Sequence, residues 1–276
     1  VPFVKSNGLL GHDELMSVLS LFNDLVPQLQ EPQYFSSKFA RVLYTLQSKP
    51  ARLAMVQVYT RLGESDQALK ESVELLEKLN AYDAGRLGEY NYELRQEAYT
   101  KLLGDDFDAS RLSMAQVLPL VYTFFHDIED VDMSIRTSGA SAITATVRAF
   151  KDVSSTEEGG NLIRSYIIPM LKIGLRKADE LVRDEFVRLL GAVVRVVPEM
   201  YPDLLELTDD RDPEIDVLNN IVHIQMHRRV KALARLKSIV QDGRLTPGSM
   251  MGFLVPLITH YVYTKSVVVT KGGTRG

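Results

Sequence analysis

The sequence holds 276 residues, of which 45% are hydrophobic and 25% charged, with a formal net charge of −4. That length allows one large domain or two ordinary ones with a sizeable core. The charge argues against a wholly basic nucleic-acid-binding domain. With no cysteine, disulfides, thiolate metal sites and cysteine nucleophiles are excluded. No run of ~18 apolar residues is present to span a membrane, and no segment reads as a signal peptide. Beginning at Val1 rather than Met, the sequence reads as a processed chain or an excised piece.

Helix follows helix in the reading. Asp13 to Leu29 carries Leu15, Val18, Leu19, Phe22, Leu25 and Val26 at helical spacing. Phe35 to Leu46 and Pro50 to Leu62 come next; Pro50 suits a first turn, and Gly63 is expected to stop that helix. Ser65 or Asp66 then caps a helix to about Asn80. AYDAGRLGEYNY reads as a connection into Leu94 to Leu103, and GDDFDAS as a break. Further helices are expected at Leu112 to His126, Ser134 to Phe150, Asn161 to Leu175 and Glu180 to Val197. Pro213 to Val240, broken near Asn219, and Pro247 to about Tyr263 complete the set. A strand-like run, Ser266 to Thr270, lies in a glycine-rich tail assigned to 266–276.

Two markers recur. Apolar–Pro–apolar turns surround Pro27, Pro119, Pro169 and Pro256. Arginines open hydrophobic helices at Arg52, Arg95, Arg136, Arg183 and Arg229, in steps of 43, 41, 47 and 46 residues. Those steps fall in or near the ~40–47 residue period of HEAT and armadillo arrays. The expected fold class is therefore an all-α helical-repeat solenoid of about five to six helix pairs over residues 1–265. Ile167 to Val197 resembles the HEAT consensus most clearly, and a preceding copy contains Asp132 and Arg136. A helical wheel sets Arg183 beside Phe186, Val187, Leu190 and Val194, and Arg136 beside Ala140, Ile143, Val147 and Phe150. Each inward arginine needs a partner. Asp179 and Asp132, four residues earlier, are placed to supply one, whereas Gln225 stands four before Arg229.

Few residues carry chemistry. His223 and His227 lie four apart, but no third ligand stands near and the surrounding arginines repel a cation. The Gly85–Gly88 GRLG reads as a loop breaker, since a KH domain needs strands that are not seen. Paired carboxylates, such as Asp105-Asp106 and Asp209-Asp210, sit in polar turns. Tyr82, Tyr90, Tyr92 and Tyr99 have acidic neighbours and suit packing better than base stacking. No P-loop, nucleophile elbow or EF-hand loop occurs. The sequence therefore suggests no enzyme, metal, cofactor or small-molecule substrate.

The helix from Asp212 to Val240 survives as a contact candidate. Its wheel gathers Val222, Met226, Val230, Leu233, Leu236 and Val240 on one side, with Arg229 among them. His223, His227, Arg228, Lys231 and Arg235 gather on the other, expected to face outward toward phosphates or an acidic protein surface.

The run NNIVHIQMHRRVKALARL, preceded by DPEID, resembles a segment of the DRIM (down-regulated in metastasis) family. These are very large HEAT-repeat components of the small-subunit processome. LQSKPARLAMVQVY and the copy around Arg136 fit the resemblance less sharply. It implies a nucleolar, non-catalytic scaffold that wraps small-subunit pre-rRNA and other processome proteins. The resemblance to the HEAT consensus, in turn, implies a ladder between neighbouring repeats through Asp132, Arg136, Asp179, Arg183 and Arg229. A general protein–protein adaptor with no RNA contact is the alternative.

Overall fold

The computed structural model describes residues 11–83, 85–86, 88–151 and 157–260. The fold is an all-α helical-repeat architecture; the described residues add only an isolated bridge between Tyr82 and Tyr90. The chain divides into two compact units, residues 1–158 and 159–276. The strand-like run and the tail assigned to 266–276 lie outside the described residues, as do positions 261–263 of the last expected helix.

Unit 1 contains α1 (His12–Leu25), α2 (Pro32–Thr45), α3 (Lys49–Ser65), α4 (Lys70–Leu79), α5 (Tyr92–Leu103), α6 (Met114–Asp127) and α7 (Met133–Lys151). The principal packing is of α2 on α6, with α1 on α3 and α6 on α7. The proline in α6 helps to explain the first contact. Pro119 has no N–H for the carbonyl of Ala115, four residues back. The Ser36 hydroxyl of α2 donates to that carbonyl at 2.6 Å, and Tyr59 of α3 donates to the Ser36 carbonyl at 2.7 Å. A polar vacancy in one helix is thus filled by its neighbours. Gly63 does not stop α3, which runs two residues further. A Cβ there would lie 3.3 Å from Val73 Cγ2, so this glycine permits close approach to α4. Gly88, by contrast, sits at φ +85° in the loop before α5, where a side chain is strained.

Unit 2 contains the rest of α8 (Glu157–Asn161), then α9 (Ile168–Gly174), α10 (Glu180–Val196), α11 (Pro202–Leu205), α12 (Val217–Ile221), α13 (Met226–Gln241) and α14 (Pro247–Ser249). Two π-helical stretches, Leu162–Ile167 and Met250–Leu254, precede Pro169 and Pro256. In each, the N–H just before the proline reaches five residues back, from Ile168 to Ile163 and from Val255 to Met250. A proline ring clashes with the carbonyl four residues earlier, and widening the turn relieves that clash.

All five periodic arginines occupy one place: Arg52, Arg95, Arg136, Arg183 and Arg229 are each the fourth residue of their helix. Each backbone N–H donates to the carbonyl four residues earlier, at Ser48, Asn91, Asp132, Asp179 and Gln225. Four of the side chains turn back to carbonyls of the preceding turn. Arg52 reaches Leu43 and Leu46 at 2.5 and 3.1 Å, and Arg136 reaches Asp130 and Val131 at 2.8 and 3.0 Å. Arg183 reaches Lys177 and Ala178 at 3.0 and 3.3 Å, and Arg229 reaches Ile224 at 3.3 Å.

The local Asp–Arg pairs expected at 132/136 and 179/183 do not form among the described ion pairs. Asp132 accepts from the N–H of Ser134 and Ile135, and Asp179 from that of Val182. The i, i+4 spacing marks an N-cap and a fourth-residue arginine, because the open helix N–H groups claim the carboxylate first.

Contacts across turns occur instead at two other arginines. Arg52 donates to Asn80 Oδ1 through Nε at 3.1 Å, and again through Nη2. Arg95, fully buried, lies 2.9 Å from Asp127 and 2.8 Å from Asp130 and packs 4.1 Å from the Tyr90 ring centre. Its Asp127 contact is an ion pair rather than a well-aligned hydrogen bond, since Nη2 has no hydrogen-bond partner. Tyr99 donates to the other Asp127 oxygen at 2.6 Å. Burial pushes the Asp127 carboxyl up, but the Arg95 guanidinium and the His126 contact more than reverse this and hold it below the usual carboxylate range. Burial pushes the His126 imidazole down.

Two outcomes test this core. Asp127→Asn leaves Arg95 with one carboxylate and should lower stability in urea unfolding by about 3 kcal/mol, and adding Arg95→Met should recover much of that loss. A Cβ at Gly174 would lie 2.0 Å from Phe186 Cδ1. Gly174→Ala should therefore lower the melting temperature, at a cost of about 1–3 kcal/mol, and Phe186→Leu in the same chain should restore part of it.

Candidate contact surface

The segment from Asp209 to Gln241 is built on a buried carboxylate. Asp216 is fully buried; its Oδ1 accepts from the N–H of Asn219 at 2.7 Å, and its Oδ2 takes the Arg195 guanidinium and the N–H of Asp209. Asn220, also buried, donates to the carbonyls of Pro213 and Asp216, both at 2.6 Å. These bonds fix α12 and the loop before it. The long expected helix is broken near Asn219 as expected, the break falling after Ile221. Gln225, the N-cap of α13, makes no side-chain cap; its own N–H donates to His223 Nδ1 at 3.0 Å. Nδ1 is thus the acceptor atom of a neutral ring. Partial desolvation, then the charges of Arg228, His227, Arg188 and Arg229, push the His223 imidazole below its usual range.

The face assignment of α13 differs from the sequence expectation. Its buried edge is Ala232, Leu236 and Ile239, with Arg228 and Arg235 half-buried beside it. Met226, Val230, Leu233 and Val240, expected inward, are exposed. The polar bonds explain the rotation. Arg235 donates to the Ile215 carbonyl, and Lys231 lies 3.4 Å from Glu214, so both are held against the loop before α12. Of the five residues expected to form an outward basic face, His227 and Lys231 are exposed, while His223 and Arg228, at the α12–α13 corner, and Arg235 are half-buried. Arg228 has no side-chain hydrogen bond or ion pair among the described residues.

Arg229 does turn partly inward, but not to an aspartate of its own copy. It lies 4.0 Å from Glu180, and its Nε is buried without a hydrogen-bond partner. Asp184 shares that corner and likewise has one buried oxygen without a partner. Sequence reasoning missed Glu180, Asp184 and Arg188, because only the packing of α10 near the α12–α13 corner brings them to Arg229 and His223. No group of three or more His, Asp or Glu side chains is placed to hold a metal among the described residues, and no described helix is long and apolar enough to cross a membrane.

Paired helices, buried or half-buried fourth-residue arginines and an electrostatic corner without a ligand cluster define a helical-repeat protein. The family model described as "U3 small nucleolar RNA-associated protein 20, N-terminal" matches residues 4–179, and the chain belongs to that family. The chain is 27% identical over 226 residues to U3 small nucleolar RNA-associated protein 20 of Saccharomyces cerevisiae, covering 80% of this chain. It is also 27% identical over 220 residues to the protein of that name from Schizosaccharomyces pombe, covering 78% of this chain. It spans 9% of the length of each of these curated relatives.

Asp184 gives this corner a pH signature. Burial, then the neighbouring Glu180, push its carboxyl up to about 6 against the pull of Arg183, Arg188 and Arg229. The folded chain therefore holds this proton to higher pH than the unfolded chain, whose Asp titrates near ~3.9. The group favours folding at low pH, and that advantage is lost as pH rises from about 4 to about 6. Asp184→Asn mimics the protonated form. Its melting temperature should match the parent near pH 4 and exceed it by about 2–4 °C above pH 6, equivalent to ~1 kcal/mol after solvent screening.

Proposed function

We propose that this chain is a non-catalytic architectural segment of a ribosome-biogenesis particle. It acts in the small-subunit processome of the nucleolus, through contacts to other processome proteins and to small-subunit pre-rRNA. The observation that supports this reading is family membership, together with two relatives whose printed names state an association with U3 small nucleolar RNA. Interior arginines bound to turn carbonyls suit a chain whose role is to hold a shape.

The RNA-contact part of the proposal rests on the α12–α13 corner. Arg228 and His227 stand there with His223, and Arg188 adds its charge to the same ring. Lys231, Arg235 and Arg188 contribute less, since each already binds the chain's own oxygens, Arg188 through Glu185 at 3.0 Å. Phosphate contact by cations releases counterions and makes binding depend on salt. Replacing Arg228 with alanine should weaken crosslinking to single-stranded RNA. The slope of log affinity against log salt should fall by about 0.7. If crosslinking and slope both stay constant while a protein partner is lost, the chain is an adaptor without RNA contact at this corner.

A further inference from the structure

The ring of His223 is held from two directions at the α12–α13 corner. Its backbone N–H donates to the Asn220 carbonyl at 3.2 Å, and the Asn220 side chain is itself tied to Pro213 and Asp216. From the other side the Gln225 N–H donates to Nδ1 at 3.0 Å. A backbone N–H can only donate, so Nδ1 keeps its lone pair and the proton of the neutral ring sits on Nε2. Fixing one ring nitrogen thus decides the other. The Nε2–H makes no hydrogen bond among the described residues, and it is not buried. His227, Arg228 and Arg229 of α13 and Arg188 of α10 all bear on this ring. A second proton, at Nδ1, would be repelled by those cations and would break the bond to Gln225.

We propose that His223 is an RNA-contact residue that donates from Nε2, as a neutral imidazole, to a phosphate oxygen of a strand held by Arg228. The proposal rests on the reading of this corner as an RNA contact and adds the atom and the protonation state. Arg228 supplies charge, since its guanidinium makes no hydrogen bond or ion pair among the described residues. His223 supplies direction, because its donor is fixed by two backbone bonds. The two contributions differ in kind. A cation that neutralises a phosphate releases a counterion, so its share of the affinity falls with salt. A neutral N–H releases none. His223 therefore adds affinity without adding salt dependence.

Asparagine and glutamine separate the two ends of the ring. In His223→Asn the amide oxygen takes the place of Nδ1 and still accepts from Gln225, but nothing reaches the position of Nε2. In His223→Gln the amide nitrogen reaches that position, and the acceptor beside Gln225 is lost. The test measures anisotropy of a fluorescent oligouridylate of about 12 nucleotides on the 276-residue chain over a salt series. His223→Asn should weaken binding about three- to tenfold, the worth of one hydrogen bond, with the salt slope and melting temperature unchanged. His223→Gln should keep most of the affinity while lowering the melting temperature. Arg228→Ala should lower affinity and slope together. A fall in slope for His223→Asn makes the contact an imidazolium one and overturns the proposal. Unchanged affinity in His223→Asn also overturns it, and if Arg228→Ala still weakens binding, the corner reading survives alone. If neither variant changes binding, that reading has failed as well. The same pair of variants is then made in a full-length protein of the family that carries this histidine. Loss of RNA binding by His223→Asn in the 276-residue chain but not in the full-length protein means that other segments of the longer chain cover the corner, and this too overturns the proposal.

Discussion

An arginine at the fourth position of a helix is an odd choice, because a cation near a helix N-terminus opposes the helix dipole. The five periodic arginines resolve this through the length of the side chain. The backbone of each makes the first hydrogen bond of its own helix. At Arg52, Arg136, Arg183 and Arg229 the guanidinium leaves that end and settles on carbonyls of the turn behind it. Arg52 shows the logic best, since Leu43 and Leu46 close the last turn of α2, where carbonyls lack partners and a positive charge is favoured. One residue therefore starts one helix and finishes another. The angle between the two is fixed without a salt bridge, and nearly complete burial is tolerated because several of the five donors are satisfied.

Arg95 departs from the pattern in an instructive way. It shares the position but faces two carboxylates of the α6–α7 turn rather than carbonyls. Around it the loop before α5 folds back on itself, with Tyr82 stacked 4.4 Å from Tyr90 and Lys49 lying 4.7 Å from the Tyr82 ring centre. Of the tyrosines that the sequence grouped by proximity, Tyr90 and Tyr92 pack against Arg95, Tyr99 binds its partner Asp127, and Tyr82 stacks on Tyr90 under Lys49. Fixed interior charge of this kind specifies a packing arrangement and contributes modestly to net stability.

The period of 41 to 47 residues was legible because it records helix starts, and helix starts leave strong local signals. Asp132 and Asp179 were recognisable for the same reason, although their spacing to the arginine suggested an ion pair when it encodes a cap. Faces were harder to read. A wheel for α13 ranks side chains by polarity and so places Val230 and Leu233 inside. Arg235 and Lys231 instead bind Ile215 and Glu214, partners 20 and 17 residues away that no local pattern can show. Long cationic side chains cover apolar surface with their stems while their heads find oxygen, so a basic side can be the packed side. Gly63 and Gly174 misled or escaped notice similarly, since each makes room for a side chain on another helix.

The widened turns before Pro169 and Pro256 carry a consequence for how such chains vary. Each holds one residue more than an α-helix needs to cover the same rise, and it does so within a hydrophobic run. The surplus residue is slack. Upstream and downstream of the proline, the faces of the helix are set by different phases, and the wide turn absorbs the offset. A relative with one residue fewer at 162–167, and without the proline, can keep the same core contacts on both sides with an uninterrupted α-helix. Length differences of a single residue among related repeats thus need not fall in loops; they can be stored inside a helix, wherever a proline has made room for them.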